Sequence, residues 1–359
     1  MKQSLTPAEW WRGARLVAVI VGLHVAGFGL LTVTAAQGFT LGTGAVFGMA
    51  LGLTAYTLGA RHAFDADHIA AIDNVTRKLM NEGQRPLSVG FFFALGHSTV
   101  VFALAALLAV GIRGLSGAVE DGGSALSQVT STIGPTVAGT FLVVIGVLNL
   151  VVLVGIVRVF LRMRQGQYSE PQLEDQLNSR GFMNRFLGRA TRAVKQPWHM
   201  YPVGLLFGLG FDTATEIALL ATAGSAAAGH LPLYAILSLP ILFAAGMTLL
   251  DTLDGAFMNF AYGWAFLKPV RKVFYNITIT SLSVLVALVI GPISLISVLS
   301  DKFSLGDGVI GLVAGLDLEY VGYLIVGLFV LTWGTALTVW HFGHIEERWS
   351  AKLEQTKRV

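Results

Sequence analysis

Residues 44–73 read GAVFGMALGLTAYTLGARHAFDADHIAAID, and the two halves of that stretch ask for different surroundings. From Gly44 to Ala60 no side chain is charged; from Arg61 to Asp73 there are one arginine, two histidines and three aspartates. As an α-helix, about 20 residues cross the roughly 30 Å of hydrocarbon in a bilayer. The stretch therefore has the length of a membrane span and carries its charges where a span should be dry. A lipid-facing helix would reject the second half, and a soluble helix has no use for the first. A span whose polar end lines the interior of a helical membrane bundle satisfies both.

The rest of the 359-residue chain follows the same plan, with 54% hydrophobic and 13% charged residues and a mean hydropathy of +0.68. Soluble domains carry about a quarter charged residues. Apolar stretches long enough to span recur at 16–35, 44–73, 87–112, 133–160, 200–229, 233–267, 276–299 and 320–342. The expected fold is all-α: one polytopic membrane domain over residues 1–359 with eight transmembrane helices and a loop at 161–199 between the fourth and fifth. The first stretch is full length, so it is read as a retained span rather than a cleaved signal peptide, and the mature chain as starting near Met1. The 42 glycines form no low-complexity run, which fits closely packed membrane helices.

Of the 24 Lys and Arg residues, 21 fall before the first span, at Arg77–Arg85, at Arg158–Lys195, at Lys268–Lys272 or after the last span. Arg113 and Lys302 fall in the opposite loops, and Arg61 inside a span. Positive charge collects on the cytoplasmic side, so both termini and the 161–199 loop are expected there. The same distribution removes nucleic acid as a partner, because the basic residues are orientation signals between spans. No Gly-Lys-Ser phosphate loop is present, so nothing in the chain requires ATP or an ATPase partner. The chain has no cysteine, which excludes thiolate metal sites, iron–sulfur clusters and disulfides. A metal would have to bind through nitrogen, oxygen or methionine sulfur.

Seven carboxylates lie inside the predicted spans: Asp65, Asp67, Asp73, Asp212, Glu216, Asp251 and Asp254. Each ionised acid at mid-membrane costs roughly 2.5–3.5 kcal/mol, and Arg61 is the one basic charge partner the spans supply. Cations or protons must cover the deficit. His24, His62, His68 and His97 also fall in spans, and imidazole is the commonest nitrogen ligand of first-row metals. The expected metal ligands are His62, Asp65, Asp67, His68 and His97. On a regular helix His62, Asp65 and His68 share an arc of roughly 120° while Asp67 points nearly opposite. Either Asp67 orients a neighbouring group or pairs with Arg61, or the helix is unwound locally so that all four converge. Asp212 and Glu216 (i, i+4) and Asp251 and Asp254 (i, i+3) each share one helix face and line the same path. Histidine ligands disfavour Mg2+ and Ca2+, and the absence of thiolates disfavours Cu(I), leaving Mn, Fe, Co, Ni and Zn.

The stretch Arg61-His62-Ala63-Phe64-Asp65-Ala66-Asp67-His68-Ile69 resembles the second-span signature of the nickel/cobalt transporter family. Leu95-Gly96-His97-Ser98-Thr99-Val100-Val101, Leu209-Gly210-Phe211-Asp212-Thr213-Ala214-Thr215-Glu216-Ile217 and Gly246-Met247-Thr248-Leu249-Leu250-Asp251-Thr252-Leu253-Asp254-Gly255 look like its other signatures, in the same order. His24 in the first span and Asn149-Leu150 in the fourth also fit. The resemblance covers nearly the whole chain. It implies eight spans, cytoplasmic termini, a bacterial cytoplasmic membrane, and uptake of Ni2+ or Co2+ with His62, Asp67 and His68 at the core. No cofactor beyond the transported ion is implied. A related exporter would carry a His-rich cytoplasmic loop, whereas 161–199 holds only His199. An intramembrane metalloenzyme would need His-Glu-x-x-His or repeated Glu-x-x-His elements, and neither occurs, so the chain reads as no enzyme.

A weak internal repeat accompanies these motifs. Phe64-Asp65-Ala66-Asp67-His68-Ile69-Ala70 echoes Phe211-Asp212-Thr213-Ala214-Thr215-Glu216-Ile217-Ala218 with one gap, and Phe93-Ala94-Leu95-Gly96-His97-Ser98 echoes Phe243-Ala244-Ala245-Gly246-Met247-Thr248. Because spans two and five run in opposite directions, spans 1–3 and 4–6 would form an inverted repeat with the substrate near the midplane. His24 would then correspond roughly to Asn149. Met247 would lie opposite His97 and face the same cavity, so His24, Asn149 and Met247 join Asp212, Glu216, Asp251 and Asp254 on the expected path.

Overall fold

The computed structural model describes residues 6–41, 44–110, 125–164, 194–209, 214–228, 231–265, 269–303, 308–314, 316 and 321–342. Among them the regular structure is helical, apart from one isolated bridge between Thr40 and Val46. The helices are α1 (Pro7–Ala35), α2 (Met49–His62), α3 (Ala66–Asn81), α4 (Val89–Ala109), α5 (Ala125–Arg164), α6 (Met200–Phe207), α7 (Ala214–Ala228), α8 (Leu233–Ala265), α9 (Pro269–Phe303), α10 (Gly308–Ala314) and α11 (Val321–Phe342), with a 3-10 turn at Pro197–His199. Five of them, α1, α4, α5, α8 and α9, are long and apolar enough to cross a membrane, and shorter apolar helices lie at Ala218–Ala227 and Val321–Thr332. The chain is a polytopic, all-α membrane protein.

The second predicted span is two helices. α2 stops at His62 because the chain tightens there: the Phe64 N–H donates to the Arg61 carbonyl and the Asp65 N–H to the His62 carbonyl, both at 2.9 Å. Asp65 then takes extended angles (φ −63°, ψ 141°) as the residue that starts α3, with Asp67 in the first turn. Aspartate at a helix start and in its first turn complements the positive end of the helix dipole, so His-Ala-Phe-Asp-Ala-Asp reads physically as a stop followed by a start. The local unwinding left open above is what the chain adopts. The fifth predicted span is also divided, with α6 ending at Phe207 and α7 beginning at Ala214.

The two halves of the second span contribute to different apolar clusters, although both pack on α8. Ala55 of α2 lies in an apolar cluster with Leu31, Ala94, Leu219, Leu239 and Phe243, drawn from α1, α4, α7 and α8. Ala66, Ile69 and Ile72 of α3 lie in another with Leu142 of α5, Leu282 and Val286 of α9, and Ile325 and Phe329 of α11. Backbones touch at several glycines, four of which pair α2 with α8 and α4 with α6. A Cβ on Gly59 would lie 2.0 Å from the Phe243 carbonyl oxygen, and one on Gly204 2.0 Å from that of Phe93. On Gly96 it would lie 2.0 Å from the Tyr201 carbonyl oxygen, and on Gly246 2.4 Å from that of Tyr56. Glycine is what lets α2 cross α8, and α6 cross α4, at this separation.

One expectation is corrected. Arg77 counts as a loop charge in the sequence, yet it is 1% exposed, on α3. Its guanidinium donates to Asp73 at 3.2 Å, to Thr280 Oγ1 at 3.1 Å and to Ser283 on α9. Arg61 is therefore not the one basic group serving the buried acids. Lys78 follows Arg77 and donates to the Val194 carbonyl, tying α3 to the chain that leads into α6. Of the 161–199 loop, 165–193 lie outside the described residues.

Candidate metal centre

His62 is the last residue of α2, and His68 lies in the first turn of α3. Six residues along an unbroken helix rise about 9 Å, too far for the rings to meet. The break folds them together, with ring centroids 4.6 Å apart. His97, midway along α4, completes a triangle at 4.7 Å from His62 and 4.8 Å from His68. One nitrogen from each ring lies within 4.8 Å of the others. All three residues are buried. Phe93 presents its ring edge-on to His68 at 4.7 Å, and Phe243 packs beside His62 at 5.7 Å.

The partners of the rings fix where their protons sit. His62 Nδ1 is 2.9 Å from Asp65 Oδ2 and 3.0 Å from Thr215 Oγ1. His68 Nδ1 is 3.3 Å from Asp251 Oδ2. Where Asp65 and Asp251 are ionised they accept from Nδ1 of these imidazoles, which leaves the Nε2 lone pairs turned towards the centre. His68 Nε2 has no partner and is buried. His62 Nε2 faces His97 Nε2 at 3.0 Å, and His97 Nε2 is 2.8 Å from Glu216 Oε1. Two ring nitrogens at hydrogen-bond distance share one proton, and that of His62 is on Nδ1. His97 Nε2 is therefore the donor, to Glu216 and His62 together. Glu216 lies 3.9 Å from His62 Nε2 and is 0% exposed.

The other expected residues are distributed as follows. Asp65 sits against His62, and Asp67, half-buried, takes the His68 backbone N–H at 3.0 Å. Asp251 holds His68, while its Oδ1 and Asp254 Oδ2 have no hydrogen-bond partner. His24 stands apart from the triangle: its Nδ1 donates to the Ile20 carbonyl at 2.8 Å, and its Nε2 accepts from the Tyr56 hydroxyl at 3.3 Å. Asn149 donates to Asn74 Oδ1 at 2.7 Å. Met247 is fully buried in the apolar cluster around Phe243. Arg61 is half-buried at the end of α2. Asp212 lies outside the described residues. Thr215 is the participant that charge and metal-ligand chemistry passed over. Its signal was its place next to Glu216 in the fifth-span motif.

Three imidazoles and a carboxylate thus converge in a buried pocket, with a ring nitrogen from each histidine within 4.8 Å of the others and Glu216 beside them. Buried charge of this kind requires a cation or protons, and N/O donation of this composition suits divalent first-row metals.

Comparison with known proteins gives a consistent result. The family described as "NicO: High-affinity nickel-transport protein" matches residues 48–339. The chain is 57% identical over 356 residues to "Nickel transporter NicT" of Mycobacterium tuberculosis, covering 99% of this chain and 96% of that protein. It is 46% identical to "Nickel transporter NixA" of Staphylococcus aureus, over 93% of this chain and 96% of the relative. It is 42% identical to "Cobalt transport protein NhlF" of Rhodococcus rhodochrous, over 95% of each. No solved structure matches the chain significantly.

Proposed function

We propose, on the premise that this chain belongs to the high-affinity nickel-transport family, that it is an eight-span permease carrying Ni2+ or Co2+ inward through the buried histidine centre. The observation that carries the reading is the placement of His62 Nε2, His97 Nε2 and Glu216 Oε1, at separations of 3.0, 2.8 and 3.9 Å. The two shorter are hydrogen-bond separations between donors already gathered at one point, and a set of imidazole nitrogens with a carboxylate and no thiolate suits Ni2+ and Co2+. His68 Nε2 supplies a further nitrogen. Asp65 and Asp251 hold the two imidazoles of the second span in the ligating tautomer. To ligate through Nε2, His97 must shift its proton to Nδ1, which is buried without a hydrogen-bond partner, so ion binding is coupled to a tautomer change of that ring.

The second span and α4 supply the histidines; α7 supplies Thr215 and Glu216, and α8 supplies Asp251. This division supports an inverted repeat of spans 1–3 and 4–6. The glycine crossings are reciprocal: Gly59 against Phe243 has its counterpart in Gly204 against Phe93, and Gly96 against Tyr201 in Gly246 against Tyr56. Successive spans alternate in direction, so three-span copies are antiparallel and meet near the midplane. The eight spans are the five long helices, the two broken ones and α11. The charge distribution favours cytoplasmic termini in a bacterial inner membrane, with residues 161–199 as the cytoplasmic loop of a single transporter domain. Scarcity of histidine in that loop favours import over export.

Uptake of radiolabelled nickel and cobalt into cells with and without the protein, with an ionophore control, tests the function. Uptake should depend on the protein and fall at least about 100-fold in His62→Ala or His68→Ala at equal membrane levels. Near-normal uptake by either variant would remove the histidine centre from the pathway.

A further inference from the structure

α11 lies outside the proposed repeat, yet it begins against the break in the second span. A Cβ on the buried Gly322 would lie 1.5 Å from the Phe64 carbonyl oxygen and 3.3 Å from the Ala66 nitrogen. Phe64 and Ala66 flank Asp65, between the two histidines. The next residue, Tyr323, stacks on the Phe64 ring with centroids 5.0 Å apart and 23° between planes. Ile325 and Phe329 continue the contact, packed in one cluster with Ala66, Ile69 and Ile72 of α3. At spacings i, i+3 and i+7, Gly322, Ile325 and Phe329 form a single face of α11 laid along α3.

The consequence follows from how the two halves are held. α2, bearing His62, is fixed at Gly59 against α8, whereas α3, bearing His68, shares α8 through Asp251 and packs in addition on α5, α9 and α11. The two rings lie on either side of the break, with centroids 4.6 Å apart, so the angle at Ala63–Asp65 sets how far apart their Nε2 atoms stand. The Phe64 carbonyl, freed where α2 ends, rests on the glycine surface that permits this approach. Donor separation is what distinguishes ions of the same charge and similar softness.

We propose that Gly322 and Tyr323 are positioning residues for the metal centre, bracing the break in the second span and thereby setting the preference between nickel and cobalt. The inference rests on the histidine centre being the transport site. Any side chain at position 322 must push the Phe64 carbonyl aside and open the angle between α2 and α3. Loss of the ring at 323 removes the stacking that holds Phe64 without touching the backbone contact.

Nickel and cobalt uptake kinetics should be measured for Gly322→Ala, Tyr323→Leu and Tyr323→Phe at matched membrane levels. For Gly322→Ala the KM for nickel should rise about tenfold or more, and the nickel-to-cobalt ratio of Vmax/KM should change at least about threefold. Tyr323→Leu should move the ratio in the same direction by about twofold, and Tyr323→Phe, which keeps the stacking, should match the parent protein. A fall in Vmax alone, with KM and ratio unchanged, is the mark of a merely structural glycine and overturns the proposal. If Gly322→Ala does not reach the membrane, the tyrosine pair decides, and an unaltered ratio in Tyr323→Leu overturns it. His62→Ala serves as the separate control: uptake surviving in that variant refutes the site itself, whatever the span-eight variants do.

Discussion

The second and fifth spans are both interrupted and contribute opposite chemistry. In the second span the helix stops at His62 and restarts at Ala66, delivering His62 and His68; in the fifth it stops at Phe207 and resumes by Ala214, delivering Thr215 and Glu216. One break supplies nitrogen lone pairs and the other oxygen. Neither set alone holds a dication well, since the imidazoles bring no charge and the single carboxylate too few donors. On the function proposed above, the site is complete only where the second span and α4 meet α7, which is what a carrier that must release its ion requires.

The comparison breaks most severely if Glu216 is neutralised. Glu216→Gln keeps the shape of the side chain and removes the charge that the second half contributes, so the apparent affinity for nickel should weaken about 30- to 100-fold in uptake assays. An affinity within about twofold of the parent would make the fifth span a scaffold rather than a partner.

Much of this was legible in the sequence, and the rest was hidden for physical reasons. Apolar run length points to a polytopic helical membrane protein, of whose eight expected spans five are long apolar helices among the described residues, and clustered histidine and aspartate in a dry segment point to metal chemistry. The helix wheel leaves two arrangements for Asp67 because periodicity assumes a continuous helix, whereas the stop at His62 and the start at Asp65 are carried by cap residues that periodicity does not report. The contact of His62 with Thr215 joins residues 153 positions apart, which no local pattern reports. Arg77 was counted as a loop charge because span boundaries drawn from hydropathy end where charge begins, whereas a buried arginine with an aspartate one turn earlier belongs to the core. His24 carries the chemistry of a ligand, but its ring nitrogens are taken by the Ile20 carbonyl and Tyr56.

Smaller effects sharpen the comparison. Asp251→Asn removes the acceptor charge that holds the proton of His68 on Nδ1, while leaving the imidazole in place. The expected loss of nickel affinity is about tenfold, read by calorimetry on the purified protein. A full loss would make Asp251 a ligand in its own right. Thr215→Val takes one of two acceptors from His62 Nδ1 and leaves Asp65, so affinity should fall only about two- to fivefold. A larger change would mean that the hydroxyl, not the carboxylate, sets the tautomer.

The most direct test of a centre shared by the two halves is the X-ray absorption spectrum of the nickel-loaded protein, compared with that of His97→Ala. The account requires nitrogen and oxygen donors at about 2.1 Å, outer-sphere scattering from three imidazoles, no sulfur, and one imidazole fewer in the variant. An all-oxygen shell, a sulfur contribution from Met247, or an imidazole count unchanged by loss of His97 would contradict it.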